Sequence, residues 1–216
     1  STYKVQVLTI IKDFTNEDYS AIKDALENLD IGILVNNVGV AVSSGQELCS
    51  LGEETFRDAI NTNILSCCMM TRIILPTMIK KKKGVVVSVA SFSSYYPLRY
   101  AGIYPSTKNF VNFFNETLIR EYPFDNFGIY FNCINPFYVA TKMSKKKPSM
   151  LIPSADQYAE SALDTFEHTG ESNGCMTHHL IATAFSLIPM PILDFLLDKL
   201  TREMKTSYEN WKRKKT

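Results

Sequence analysis

The 216-residue chain carries 23 Lys and Arg against 22 Asp and Glu, a formal net charge of +1, with 45% hydrophobic residues. That length supplies one domain with a real core and not comfortably two, and the balanced charge excludes a basic nucleic-acid surface. Five cysteines (Cys49, Cys67, Cys68, Cys133, Cys175) and three histidines (His168, His178, His179) show no metal-ligand spacing; no metal is expected, and the thiols read as small hydrophobes in a reducing compartment.

The N-terminus begins Ser1-Thr2-Tyr3-Lys4-Val5, without an initiating Met or a signal peptide, as a piece of a longer chain would. Val5 to Ile11 is rich in branched residues and predicts a strand. Thr15 or Asn16 is placed to cap a helix that turns Tyr19, Ile22, Ala25 and Leu26 inward. Asp30 to Val35 predicts a second strand, apolar on both faces and therefore parallel and central. It ends in Asn36-Asn37-Val38-Gly39, where amides can bond neighbouring backbone and a Gly leaves room for a flat ligand. The same Asn pair also suits an ordinary turn.

Ser50-Leu51-Gly52-Glu53 has capping-box spacing, and Phe56, Ile60, Ile64, Cys67, Thr71, Ile74 and Met78 recur behind it at helical period. Asn63 lies beside that apolar stripe, where an amide is costly unless hydrogen-bonded. Pro76 is expected to kink the helix and Gly84 to end it. Gly84 to Ala90 is a very apolar run that predicts a buried strand closed by Ser91. Tyr104 and Lys108 are four apart and share one face of the following helix. A hydroxyl, a phenol and an ammonium thus gather at a strand end feeding a helix, where open α/β sheets hold their ligands. Gly128 to Ile134 predicts another strand, leading into Asn135-Pro136-Phe137-Tyr138-Val139-Ala140-Thr141. A basic loop follows, and Ser154-Ala155-Asp156-Gln157 starts a further helix. The last ~40 residues read as mostly helical. Leu180 to Leu193 is apolar but broken by Pro189 and Pro191, and it falls short of the ~20 residues that span a bilayer. Alternating strands and helices predict a parallel α/β sheet with helices on both faces.

The order Asn-Asn-x-Gly, Asn63, Ser91, Tyr104/Lys108 and Pro136-x-x-Val139-x-Thr141 resembles the short-chain dehydrogenase/reductase family over nearly the whole chain. Leu29 to Gly39, Pro136 to Met143 and Phe185 to Pro189 are similar to its branch of 17β-hydroxysteroid dehydrogenases type 3 and type 12, which includes very-long-chain 3-oxoacyl-CoA reductases. The resemblance implies a Rossmann-like doubly wound parallel sheet and an oxidoreductase using NADP(H), with NAD(H) not excluded. Tyr104 would exchange a proton with the substrate oxygen, helped by Lys108 because a free phenol has a pKa of about 10. Ser91 would bond the substrate oxygen and the phenol, and Asn63 would anchor a water-linked proton path from Lys108. Asn36 and Gly39 would line the cofactor, Val139 and Thr141 would hold its carboxamide, and Asp13 would lie near the adenine.

Departures from the family are equally specific. Its cofactor pyrophosphate sits on a Gly-rich turn after the first strand, and Gly32, Gly39, Gly45 and Gly52 never give that spacing. The resemblance therefore implies a single domain over residues 1–216 that is N-terminally incomplete, lacking the first two strands. Residues 142–200 would form its substrate loop and C-terminal helical region. Because the family orders its sheet 3-2-1-4-5-6-7, Val5 to Ile11 would lack its natural neighbour. Reduction of a hydrophobic ketone, either a 17-ketosteroid or a very-long-chain 3-oxoacyl-CoA, is the implied function. A truncated form acting only through protein or membrane contacts is the alternative. Asn115-Glu116-Thr117 matches a glycosylation acceptor inside a predicted helix. Lys212 and Lys214 resemble a dilysine retrieval signal, implying the cytosolic face of the endoplasmic-reticulum membrane. Family members commonly pair as homodimers through the helices bearing Asn63 and Tyr104.

Overall fold

The computed structural model of the protein describes residues 4–41, 45–101 and 103–213. In chain order its elements are α1 (Ser20–Leu26), β1 (Ile33–Asn36), α2 (Glu53–Ile60), a π-helical segment (Asn61–Leu65), α3 (Ser66–Lys81), β2 (Gly84–Val89), a 3-10 turn (Phe92–Tyr95), α4 (Ile103–Glu121) and α5 (Phe124–Phe127). There follow β3 (Ile129–Ile134), α6 (Ala155–Leu163), β4 (Gly170–Ser172), α7 (Met176–Ser186) and α8 (Met190–Arg213). The strands pair in the order β1-β2-β3-β4 and every pair is parallel. This reproduces the 4-5-6-7 half of the expected Rossmann-like order.

The period-two alternation of the strands decides which residues meet which layer. Leu34, Val86, Ile129 and Phe131 point to α3 and α4 and pack on Ile74, Leu75, Met78 and Leu118. Their neighbours Val87 and Ile134 point the other way, onto Tyr158 and Ala162 of α6. Burying each of the larger side chains stabilises the fold by roughly 1.5–3 kcal/mol. Over β2 and β3 both faces are covered, which is why these strands read as unbroken apolar runs.

The edge beyond β1 behaves differently. Val5 to Ile11 forms no strand, and Val7 and Ile11 are 80% and 96% exposed. A strand needs a neighbour for its N–H and C=O groups; no strand among the described residues lies beside this segment, so water takes those bonds. β1 is parallel as expected but outermost rather than central, with Ile33 and Val35 exposed on the face away from α3.

Three helix boundaries also depart from expectation. Asp18, not Thr15 or Asn16, accepts the first free amide of α1, from Ser20 at 2.9 Å. Ser50 does not cap α2: its hydroxyl turns back to the Glu47 carbonyl at 2.7 Å, Gly52 occupies the N-cap, and Glu53 and Glu54 supply negative charge to the first turn. α3 ends on Lys82 in the left-handed region (φ 53), two residues before Gly84. Gly84 is required for another reason, since a Cβ there would lie 2.6 Å from the Met78 sulfur. The expected capping box at Ser154 and Gln157 is present on both sides. Pro105 sits in the first turn of α4, where its missing N–H costs nothing.

Candidate active site

The C-terminal ends of β1 and β2 and the start of α4 bring Asn63, Ser91, Tyr104 and Lys108 into one neighbourhood. Asn63 lies in the π-helical segment, almost wholly buried. Its Oδ1 accepts from the Val40 amide at 2.8 Å, while Nδ2 donates to the Val40 carbonyl at 3.1 Å and to Thr107 Oγ1 at 3.0 Å. One side chain thus clamps the loop after β1 onto α4. The expected price of an amide beside an apolar stripe is removed by these three bonds. A π-turn widens the helix locally and is a frequent device for aiming one side chain out of register.

Lys108 is buried, and its ammonium donates to the Val89 carbonyl at 2.7 Å. No salt bridge neutralises it among the described residues. Burial therefore disfavours the charged form and moves its pKa down to about 8. Gly39 closes over this group: a Cβ there would stand 3.2 Å from Lys108 Nζ and 3.4 Å from Asn63 Oδ1. The Gly of the Asn-Asn-x-Gly sequence thus lets backbone approach the ammonium without the tight contact a Cβ would make.

The Lys108 Nζ atom lies 6.0 Å from the centroid of the Tyr104 ring. The Tyr104 phenol is raised above its ordinary value, chiefly by burial; its hydrogen bond with Ser91 opposes that rise and the Tyr138 phenol adds to it. The expected lowering by Lys108 is absent from the chain on its own: burial sets the direction of the shift, and the bond with Ser91 is what opposes it. Ser91 is the N-cap of the 3-10 turn, its Oγ accepting from the Ser93 amide at 3.2 Å and lying 3.0 Å from Ser93 Oγ.

The outlying positions are less concentrated. Asn36 is buried with its Nδ2 bonded to Thr71 Oγ1 on α3 at 3.0 Å, so its amide ties strand to helix. Ser144 Oγ donates to the Val139 carbonyl at 2.6 Å and the Ser144 amide to Thr141 Oγ1 at 3.3 Å, making 139–144 a compact turn. The Val139 amide donates to nothing among the described residues. Asp13 is exposed, its Oδ1 accepting from the Thr15 amide at 3.0 Å and the Thr15 hydroxyl at 2.8 Å, which holds the carboxyl below its ordinary range.

Sequence reasoning missed several supporting residues. His178 is fully buried, its Nδ1 accepting from the Phe137 amide at 3.3 Å and Nε2 facing the Tyr138 carbonyl at 3.2 Å. It anchors α7 to the segment that carries Val139. Thr71 and Asn112 are polar positions on otherwise apolar helix faces, and that contrast was the available signal. Asn115 of the glycosylation match is wholly buried within α4 and out of reach of modification. Lys214 lies outside the described residues, as does the side chain of Lys212.

A profile of short chain dehydrogenases matches residues 3–151. The chain belongs to the short-chain dehydrogenase family. Among its curated relatives, the very-long-chain 3-oxoacyl-CoA reductase-B of Danio rerio is 41% identical over 199 residues, covering 90% of this chain and 63% of that protein. The very-long-chain 3-oxoacyl-CoA reductase of Homo sapiens is 34% identical over 210 residues, 95% of this chain and 67% of that protein. This chain therefore spans about two thirds or less of the length of these relatives. Among solved structures, a short-chain dehydrogenase from Sphingobium yanoikuyae in complex with NADPH superposes with a TM-score of 0.65 at 23% identity, covering 82% of this chain and 74% of that one. At that identity the likeness establishes the shared fold.

Proposed function

We propose that this chain carries the carbonyl-reducing half of an NADP(H)-dependent oxidoreductase whose substrate is a very-long-chain 3-oxoacyl-CoA. The observation that carries the reading is a buried ammonium with no counter-ion among the described residues, enclosed by Gly39 and Asn63 on the helix that presents Tyr104. Leaving a lysine desolvated is unfavourable for folding alone and suits a group that acts on a ligand. The names of the relatives support the acyl-CoA substrate over the 17-ketosteroid.

In this reading Tyr104 exchanges a proton with the substrate oxygen and Ser91 hydrogen-bonds that oxygen as charge develops. Asn63 holds α4 against the loop after β1, so that Lys108 stays fixed beside the phenol. A nicotinamide cofactor supplies the hydride in this family. The residues present fit its nicotinamide half: the Val139 amide is an open donor for a carboxamide, Thr141 lies beside it, and Lys108 keeps donors beyond its one bond to Val89. Asn36 and Gly39 would contribute main chain to the same wall, and Asp13 the adenine end. For the pyrophosphate half the 216 residues contain no Gly-rich turn, which favours a second reading of the chain by itself as a non-catalytic form. Membrane association belongs to the same proposal. It is supported by the exposed Met176 and Leu180 of α7, Leu187 just after it, and the exposed Ile192, Phe195 and Leu196 of α8, with the endoplasmic-reticulum membrane, cytosolic face, as the implied setting. Pairing into a homodimer is supported by exposed Ile60 on α2 and Phe113 on α4.

Titrating the protein with NADPH while offering a 3-oxoacyl-CoA and a 17-ketosteroid tests these readings together. Saturable turnover of the thioester is expected. Turnover of the steroid alone would replace the substrate, and neither binding nor turnover would leave the non-catalytic reading.

A further inference from the structure

We propose that Ser94 and Asn112 form a buried polar latch that holds α4 in register with the Ser91 turn, and so sets how the Ser91 hydroxyl meets the Tyr104 phenol. The inference rests on the carbonyl-reduction reading for its effect on rate, but its geometry stands on its own. Ser94 closes the 3-10 turn and is almost fully buried. Its hydroxyl donates to the Ser91 carbonyl at 2.6 Å and accepts from Asn112 Nδ2 at 2.8 Å, with Asn135 Oδ1 farther off at 3.3 Å. Asn109 adds a bond from its Nδ2 to the Ser94 carbonyl at 3.1 Å.

Asn112 is itself oriented from the sheet, since the Cys133 thiol of β3 donates to its Oδ1 at 2.9 Å. Burial raises the Cys133 pKa, so the thiol stays protonated and remains a donor. A directional chain therefore runs from β3 through Asn112 and Ser94 to the main chain of Ser91. Asn112 stands eight residues beyond Tyr104 on the same face of α4. Apolar packing alone would let the helix slide over its neighbours by fractions of its ~1.5 Å rise per residue; hydrogen bonds of fixed length do not. A single 3-10 turn has little stability of its own, so its position must be imposed from outside. Ser94 and Asn112 act through Ser91 and Tyr104 and are positioning residues.

The test uses Ser94→Ala and Asn112→Leu, with Asn132→Ala as control. Asn132 is an equally buried amide on β3, but it points to the other face and binds the Thr165 and His168 carbonyls at 2.9 and 3.0 Å. NMR of tyrosine labelled at Cζ, with Tyr104→Phe assigning the signal, reads the Tyr104 titration without substrate or cofactor. The groups facing that phenol are Ser91, Lys108 and Tyr138. Both latch variants should move its midpoint upward by roughly half to one pH unit, because the Ser91 bond that favours phenolate is loosened. They should also lower kcat about tenfold with KM for NADPH and ketone unchanged. The control should lose thermal stability without moving either. Asn109→Ala removes only a bond reached from the exposed side of α4, and gives a smaller upward shift if the buried variants do not fold. An unmoved Tyr104 midpoint in Ser94→Ala, or in Asn109→Ala where Ser94→Ala does not fold, overturns the latch, as does an equal shift in Asn132→Ala. Failure of the wild type to reduce ketone would count against the proposed function, while the NMR titration still decides the latch.

Discussion

The two halves of the sheet are built from similar residues and have opposite fates. β2 and β3 are covered by α3 and α4 on one face and α6 on the other, and Val86, Val87, Ile129 and Phe131 have no exposure at all. β1 and the segment before it are as rich in branched apolar residues, yet Ile33 and Val35 stand in water and Val5 to Ile11 forms no strand. Apolar sequence is thus a demand for cover rather than a guarantee of it. Residues of the candidate site hang on the covered half or are tied to the helices that cover it: Lys108 to Val89, Asn36 to Thr71, Asn63 to Thr107. A site assembled this way is held by buried hydrogen bonds, whose geometry tolerates little drift.

Removing the phenol with Tyr104→Phe should strike hardest, lowering kcat by about 10³-fold while leaving NADPH affinity and melting temperature nearly intact; retained turnover would overturn the assigned role. Next comes the centre of the covered half, where Phe131→Ala should lower unfolding free energy by about 3–5 kcal/mol in a urea titration. A loss no larger than that seen at the edge would erase the contrast between the halves.

Lys108→Met offers a pH-dependent version of the same comparison. The unfolded chain holds the Lys108 proton to its ordinary 10.5, the folded chain only to about 8. The penalty for burying the ammonium is therefore full below pH 8 and is relieved as pH rises toward 10.5. Stability of the wild type relative to Lys108→Met should climb across that window by roughly 3 kcal/mol, and urea midpoints of both proteins at the two ends measure it. A constant difference would mean that the lysine is not desolvated. The smallest effect is expected at the bare edge: Ile33→Thr and Val35→Thr should each change stability by about 0.5 kcal/mol or less. A larger loss would reveal that this face is covered in solution.

Much of the site was legible because its residues are chemically out of place. An Asn beside an apolar helix stripe, a Gly after paired amides and a Ser closing a buried strand each break a local pattern, and each lies where the structure needs it. Helix starts were less legible, because Thr15, Asn16 and Asp18 are all competent caps for α1, as Ser50 is for α2, and only the path of the chain selected Asp18 and Gly52. The three-residue β4 carries no apolar alternation, so nothing in it announced a strand.

Local spacing by itself determined the order of β1, α2–α3, β2, α4 and β3, the shared face of Tyr104 and Lys108, and the missing Gly-rich turn, since these depend on period and composition alone. Tertiary structure alone decided that, among the described residues, Val5 to Ile11 finds no strand partner and Lys108 no counter-ion, and that Ser94 meets Asn112. Each of those depends on which groups distant in sequence are brought within hydrogen-bond distance or left in water, and residue spacing does not encode that.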